Sequence, residues 1–215
     1  MIKNTFVYSI LVFAPFLQGI AQKSTYDLAS LLRQNKIRVV NREMTITENK
    51  NLHLSAKEDD GVAWISGVDF SNGTIEIDLK GRDVLQQSFL GIAFHAVDQK
   101  TLDVVYFRPF NFQSSDTVRR SHAVQYASHP DYPWALLRDK FPGKYEHQIF
   151  PAPTPNGWFH VKIVVEYPDI RVFINNEVSP SLQVKQLSER KSGKFGLWVG
   201  NNSDGDFKNL TLTKQ

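Results

Sequence analysis

The chain contains no cysteine among its 215 residues. No disulfide can therefore hold it together, no thiolate can ligate a metal or attack a substrate, and no lipid can be attached at a processed N-terminal Cys; stability must come from packing. A strong excess of either charge is also lacking. Twenty-five Lys and Arg against 22 Asp and Glu leave a net charge of +3, and no basic run or basic helix is present, so nucleic acid is not an expected partner. The six histidines form no H-x-H or H-x-x-x-H pair, and nothing points to zinc. There is no internal repeat, low-complexity tract or linker. Long apolar runs are missing too: the stretch Phe6–Leu17, interrupted by Ser9 and Pro15, falls short of the roughly 20 residues of a membrane-spanning helix.

That short apolar run has a different meaning. Lys3 precedes it and Gly19-Ile20-Ala21 follows it, the three-part layout of a secretory signal peptide cut ahead of Gln22. Residues 1–21 are read as this signal and residues 22–215 as one domain, exported to a periplasm or the extracellular space, with no membrane anchor after cleavage. An exported chain without cysteine fits a bacterial setting.

Period-2 patterning dominates the rest. Ile75, Ile77 and Leu79 alternate with Thr74, Glu76 and Asp78; Leu90, Ile92, Phe94 and Ala96 oppose Gly91, Ala93 and His95; Phe159, Val161, Ile163 and Val165 oppose Trp158, His160, Lys162 and Glu166. Further strands are expected at Met44–Thr47, Leu52–Ala56, Val62–Ser66, Leu102–Phe112, Ser121–Ser128, Ile170–Ile174, Lys194–Val199 and Phe207–Leu212. Asp60-Gly61, Asn72-Gly73, Asn156-Gly157, Asn175-Asn176 and Asp204-Gly205 supply turns. Helix is expected only at Thr25–Gln34 and Trp134–Asp139. Many short strands with polar turns predict an all-β sandwich or barrel.

The C-terminal half narrows the choice. Trp158 with Ile163-Val164, Val172 with Ile174-Asn175, Gly193 with Gly196-Leu197, and Phe207 with Asn209-Leu210 follow one another in a recognisable order. With Asn72-Gly73-Thr74-Ile75-Glu76 and Gly91-Ile92-Ala93-Phe94 upstream, the chain resembles the concanavalin A-like lectin/glucanase superfamily over about Val62–Leu212. Within it, the laminin-G-like and 3-keto-disaccharide hydrolase-like domains are the most similar. The resemblance implies a jelly-roll sandwich of two antiparallel sheets with short helical pieces, and an oligo- or polysaccharide partner bound on the concave sheet. The matching residues are packing and turn residues, and they carry fold more than activity.

Four constellations carry candidate chemistry. Glu76-Ile77-Asp78 resembles the carboxylate strand of family 16 glycoside hydrolases, but the third acid position is Gly81, and alternation alone places acids on a solvent-facing strand. Phe107-Arg108 and Val124-Gln125 resemble paired strands of the 3-keto-disaccharide hydrolase-like domains, with Ala123 where a glutamate is expected. Arg108, set among aromatics, is read as a bidentate clamp for hydroxyls or a carboxylate; the alternative is a structural pairing with Asp103 or Asp116. The proline-stiffened segment His129–Trp134 offers Tyr132 and Trp134 for stacking on sugar C–H faces, or as a lid over a sheet edge. Asn111 and His95 complete the expected binding set of Arg108, Asn111, Gln125, Tyr132, Trp134 and His95. Glu146 is the candidate acid/base if the protein is an enzyme. Asn201–Asp206 is rich in the oxygen ligands calcium favours, yet a turn explains that composition better, and no cofactor is expected. The sequence thus supports an exported glycan-binding sandwich, with a glycoside hydrolase and a laminin-G-like protein-binding module as alternatives.

Overall fold

The computed structural model describes residues 22–214; the expected signal peptide lies outside the described residues. The chain starts with β1 (Gln22–Tyr26), helix α1 (Leu28–Arg33), β2 (Ile37–Val40), β3 (Met44–Ile46) and β4 (Leu52–Leu54). Four longer strands follow: β5 (Gly61–Phe70), β6 (Gly73–Lys80), β7 (Leu90–Ala96) and β8 (Leu102–Phe107). Two single-turn helices, α2 (Pro109–Phe112) and α3 (Thr117–Arg120), lead into β9 (Val124–His129). Helix α4 (Trp134–Lys140) precedes the two-residue β10 (Glu146–His147). Strands β11 (Trp158–Glu166), β12 (Asp169–Ile174), β13 (Leu182–Lys185), β14 (Gly193–Val199) and β15 (Gly205–Lys214) complete the fold.

Alternation assigns each strand its faces. In β6, Ile75, Ile77 and Leu79 are fully buried while Thr74, Glu76 and Asp78 are only partly covered. Its antiparallel neighbours β11 and β15 repeat the pattern, and the first sheet runs β13-β12-β11-β6-β15-β4-β3, with β1 also paired to β15. The second sheet runs β10-β9-β8-β7-β14-β5-β2. The inner faces meet at aromatic contacts such as Phe107 on Phe159, ring centroids 5.3 Å apart. Each large apolar side chain enclosed there contributes about 1.5–3 kcal/mol, which is how a cysteine-free chain holds this shape. Strands β7 and β8 are buried along their whole length, so the second sheet is covered on its outward side as well, where α4 packs on β9.

Three departures from the expected elements have local causes. The strand expected over Leu102–Phe112 stops at Phe107, because Pro109 lacks an N–H and opens α2 at its first position. The strand expected from Ser121 begins at Val124, because the Asp116 carboxylate caps α3 by accepting from Val118 N–H at 2.8 Å and Arg119 N–H at 3.3 Å. The helix expected over Thr25–Gln34 begins only at Leu28, because Asp27 is its N-cap, accepting from Ser30 N–H at 3.0 Å. Thr25 and Tyr26 instead extend β1 alongside β15. Strands β1, β2, β10 and β13 were not expected; they are edge or two-residue strands whose pairing, not their own pattern, makes them strands.

Candidate functional site

The outward face of the second sheet is defined by register. Phe107 points to the core, so Tyr106 points out, opposite Gly91 on β7 and Gln125 on β9. Trp198 lies beyond Gly91 on β14, and Glu146 lies beyond Gln125 on β10. Trp198, Tyr106, Gln125 and Glu146 therefore form a row across the sheet. Gly91 is required at its centre: a Cβ there would come within 2.1 Å of the Val105 carbonyl oxygen and 2.8 Å of Tyr106 Cβ. Without it, the Trp198 and Tyr106 rings approach to 5.2 Å across the gap. Gly200 gives Trp198 room at its other end, where a Cβ would sit 3.0 Å from the indole Cη2.

Arg108 ties this row together. Leaving β8 as the residue before Pro109, it lies with its guanidinium 4.9 Å from the Tyr106 ring centroid and 5.7 Å from that of Phe89. Its Nη2 donates to the Tyr106 hydroxyl at 2.8 Å and to Gln125 Oε1, and its Nη1 donates to the His122 carbonyl at 2.8 Å. The Tyr106 hydroxyl in turn donates to Gln125 Oε1 at 3.0 Å. Gln125 is fully buried, and because Oε1 must accept from both donors its amide orientation is fixed, leaving Nε2 enclosed without an acceptor. Glu146, 3% exposed, receives both arms of Arg138 at 2.8 and 2.7 Å and stands 3.6 Å from Arg108 Nη1. His122 Nδ1 lies 2.9 Å from Glu146 Oε1 but is not aligned for a hydrogen bond. Arg108 thus pairs with neither Asp103 nor Asp116; its acid is Glu146.

The electrostatics follow from burial and these partners. Burial pushes the Glu146 carboxyl up, but the hydrogen bonds and charge of Arg138, with His122 and Arg108, outweigh it and hold the group below its ordinary value. Burial lowers both Arg108 and His122, against the pull of Glu146 on each. Burial raises the Tyr106 phenol to about 12, against the pull of Arg108. Glu146 is therefore an ionised anchor for two arginines. A carboxylate so held is a poor proton donor, which weighs against the general-acid part of its expected role.

Beside this cluster, and sharing Trp198 with it, is an open cleft of about 540 Å³. Leu102, His129 and Trp198 lie on its sheet side, and Asp60, Lys100 and Asn201 come from three different loops. The β4–β5 loop that carries Asp60 is pinned in place: Arg42 donates to the Gly200 carbonyl at 2.8 Å and to that of Asp59, and Asp59 N–H donates to Asn201 Oδ1 at 2.8 Å. Asp60 is exposed, yet desolvation by the surrounding walls raises its carboxyl, against the opposing charges of His129 and Arg42. Burial lowers His129, against the attraction of Asp60. The sequence places Asp60 and Asn201 in turns and Trp198 in a strand. Asp60, Lys100 and Asn201 converge on that strand from three loops, which leaves no local motif to find.

The other expected site residues fall in different places. Asn111, on α2, adjoins the cluster: its amide donates to the His122 carbonyl at 3.4 Å and its Oδ1 accepts from Arg119 at 3.3 Å. Trp134 opens α4, half exposed, with the Arg138 guanidinium 4.9 Å from its ring centroid, so it reaches Glu146 only through Arg138. Tyr132 is bridged to Ser128 in the tight turn after β9 and packs on the core. His95 is not drawn in. With φ +48 it breaks the alternation of β7, stacks on Phe70, and meets the Ser71 carbonyl at 2.8 Å and Gln186 Oε1 at 3.2 Å.

The two remaining constellations are also accounted for. Glu76 and Asp78 lie on the outward face of the first sheet, where Asp78 contacts His160 Nδ1 at 2.7 Å and accepts from the Asn209 amide at 2.6 Å. In the oxygen-rich turn, Asp204 pairs with Arg82 at 2.7 Å and Asp206 with His53 at 2.7 Å. Among the described residues no group of three or more His, Cys, Asp or Glu is placed to hold a metal ion, and no helix is long and apolar enough to cross a membrane.

No protein-family model matches the chain, and no curated protein sequence matches it. Solved structures do. The carbohydrate-binding module CBM66 of Bacillus subtilis is 15% identical, superposes with a TM-score of 0.61, and the match covers 82% of this chain and 95% of that one. A Bacillus subtilis protein of unknown function with a galectin-like fold is 13% identical with a TM-score of 0.61, covering 91% and 98%. The exoplasmic/lumenal domain of VIP36, in its form bound to Ca2+ and Man3GlcNAc, is 9% identical with a TM-score of 0.58, covering 84% of each chain. The two packed antiparallel sheets and these likenesses together give the chain the concanavalin A-like jelly-roll fold.

Proposed function

We propose that this protein is an exported carbohydrate-binding sandwich that holds a glycan on the outward face of its second sheet, taken as the concave one. The observation that carries the reading is the open cleft of about 540 Å³ lined by Leu102, His129 and the largely buried Trp198 on its sheet side, with Asp60, Lys100 and Asn201 around it. A partly apolar wall ringed by a carboxylate, an amide and an ammonium matches the alternating C–H patches and hydroxyls of a sugar. The Arg108–Tyr106–Gln125–Glu146 network supports the same reading from behind, by fixing the ring against which Trp198 rests. Two structural neighbours, a carbohydrate-binding module and a domain bound to Man3GlcNAc, agree with it. The signal-like residues 1–21 support a location where polysaccharide is met.

Binding is favoured over hydrolysis by the carboxylates. Glycoside hydrolysis uses two carboxyl groups, one of them a proton donor, and Glu146 is held ionised by Arg138. Titration calorimetry of residues 22–215 against a panel of neutral and acidic oligosaccharides tests the proposal. Asp60→Asn and Lys100→Ala should each weaken binding of the responding sugar by about tenfold, the loss of one charge-assisted hydrogen bond, with the melting temperature unchanged. Neutral-sugar binding that survives both substitutions, or no binding to any sugar, would overturn it.

A further inference from the structure

On the opposite side of the sandwich, the pairing of β15 changes partner partway along its length. Gly205, Asp206 and Phe207 pair with Leu54, His53 and Leu52 of β4. From Leu210 to Lys214 the same edge pairs with β1, beginning at Tyr26. Lys208 and Asn209 lie between the two and have no strand partner on that edge. The ladder to β6 on the other edge is also irregular here, shifting register between Lys208 and Thr211, and Asn209 takes a left-handed φ of +56. The end of β1 and the β3–β4 turn thus face each other across a gap, and the gap is a groove of about 570 Å³.

Its lining is mainly aromatic, cationic and amide-bearing, with one acid, Asp27, whose carboxylate caps α1. Tyr26 and Trp158 supply rings, Lys50 and Lys208 supply ammonium groups, and Asn51 and Asn209 supply amides. The Lys208 ammonium lies 4.1 Å from the Trp158 ring centroid. Neither Lys50 nor Lys208 has a carboxylate within ion-pair distance among the described residues. The acids nearby are otherwise engaged: Asp27 caps α1, Asp78 is held by His160 and Asn209, and Asp206 contacts His53 at 2.7 Å and Lys80 at 4.0 Å. An ammonium held over an indole rather than by a carboxylate keeps its hydrogen-bonding capacity for an incoming anion.

We propose that this groove is a second binding site, specific for a carboxylated sugar such as a hexuronate residue. Its ring would lie against Trp158 and Tyr26, and its carboxylate would be held by Lys50 and Lys208. The two aromatic rings favour a sugar over a small inorganic anion, and the two free ammonium groups favour an acidic sugar over a neutral one. This proposal is independent of the cleft on the second sheet, since the two grooves share no residue.

The test is tryptophan fluorescence and calorimetric titration of residues 22–215 with oligogalacturonate, and with a neutral gluco-oligosaccharide of equal length. The acidic oligomer should bind with an affinity that falls as salt rises. The Lys50→Ala/Lys208→Ala double variant, both sites being at the surface, should keep its melting temperature and lose about tenfold or more in affinity for it. Asp60→Asn, which alters only the cleft on the second sheet, should leave that affinity within about twofold. Neutral-oligomer binding of equal affinity that is lost in the lysine double variant, no binding of the acidic one, or acidic binding lost in Asp60→Asn but kept in the lysine double variant would each overturn the proposal. Loss of neutral-sugar binding in Asp60→Asn with acidic-sugar binding intact would separate the two sites.

Discussion

Replacing Glu146 by Gln tests whether one carboxylate neutralises the row of polar groups on the second sheet. The substitution keeps size and shape but removes the charge and turns one acceptor into a donor. That donor would face an Arg138 N–H, where Arg138 now makes bonds of 2.8 and 2.7 Å. Arg108, 4% exposed, would lose the acid 3.6 Å from its Nη1. Removing one partner of a buried pair costs about 3–5 kcal/mol. The lower end applies, because the Arg138 side chain is 35% exposed and can turn to water. About 3 kcal/mol at roughly 2–4 °C per kcal/mol for a domain of this size predicts a melting temperature about 6–12 °C lower. Urea unfolding should show a lower midpoint with an unchanged slope, the mark of lost stability rather than a changed end state.

The same substitution carries an internal control in pH. Glu146 is depressed below its ordinary value of 4.5, so its contribution is fully present above that pH and fades as pH falls toward its folded value. The gap between wild type and Glu146→Gln should therefore close in acid. A melting temperature within about 2 °C of wild type at neutral pH, or a gap that persists unchanged at pH 3, would refute the neutralising role.

Two further outcomes follow from packing and protonation. Gly91→Ala places a methyl against backbone that cannot yield, 2.1 Å from the Val105 carbonyl oxygen; it should cost about 1–3 kcal/mol and separate Trp198 from Tyr106, visible as a changed near-ultraviolet circular dichroism spectrum. His95, His122 and His129 are each lowered from 6.5 by burial, so each folds best when neutral. Their contribution is present above pH 6.5 and is lost as pH falls below it. Urea titrations from pH 7.5 to 5 should show falling stability, and His95→Gln, which removes the fully buried one of the three, should flatten that slope.

Much of the fold was legible because its signals are local. A half-buried strand must alternate, and Thr74–Leu79 and Phe159–Val165 do. A turn needs residues that tolerate positive φ, and Asn175 and Asn176 adopt φ values of +51 and +62. Strand ends were misplaced where a single capping or ring-closed residue decided them, as Asp27, Pro109 and Asp116 did. Arg108 and Gln125 were expected together on paired strands and Glu146 apart from them, and the structure brings Arg108 into contact with both. Their roles within the contact were not legible, since Arg138 lay outside the expected set and it is Arg138 that fixes the charge of Glu146.

The sequence by itself therefore determined the class of the fold, the faces of its long strands, and the absence of disulfide and thiol chemistry. Those depend on side-chain periodicity and composition, which each residue carries with it. Only the tertiary structure decided which charges are neutralised and where the open surfaces lie. The cleft joins Asp60, Lys100, His129 and Asn201 through pairings between strands distant in the chain. The groove at Lys208 and Asn209 exists because β15 exchanges β4 for β1 as its neighbour. A break in pairing is a property of two strands at once, and no single stretch of sequence records it.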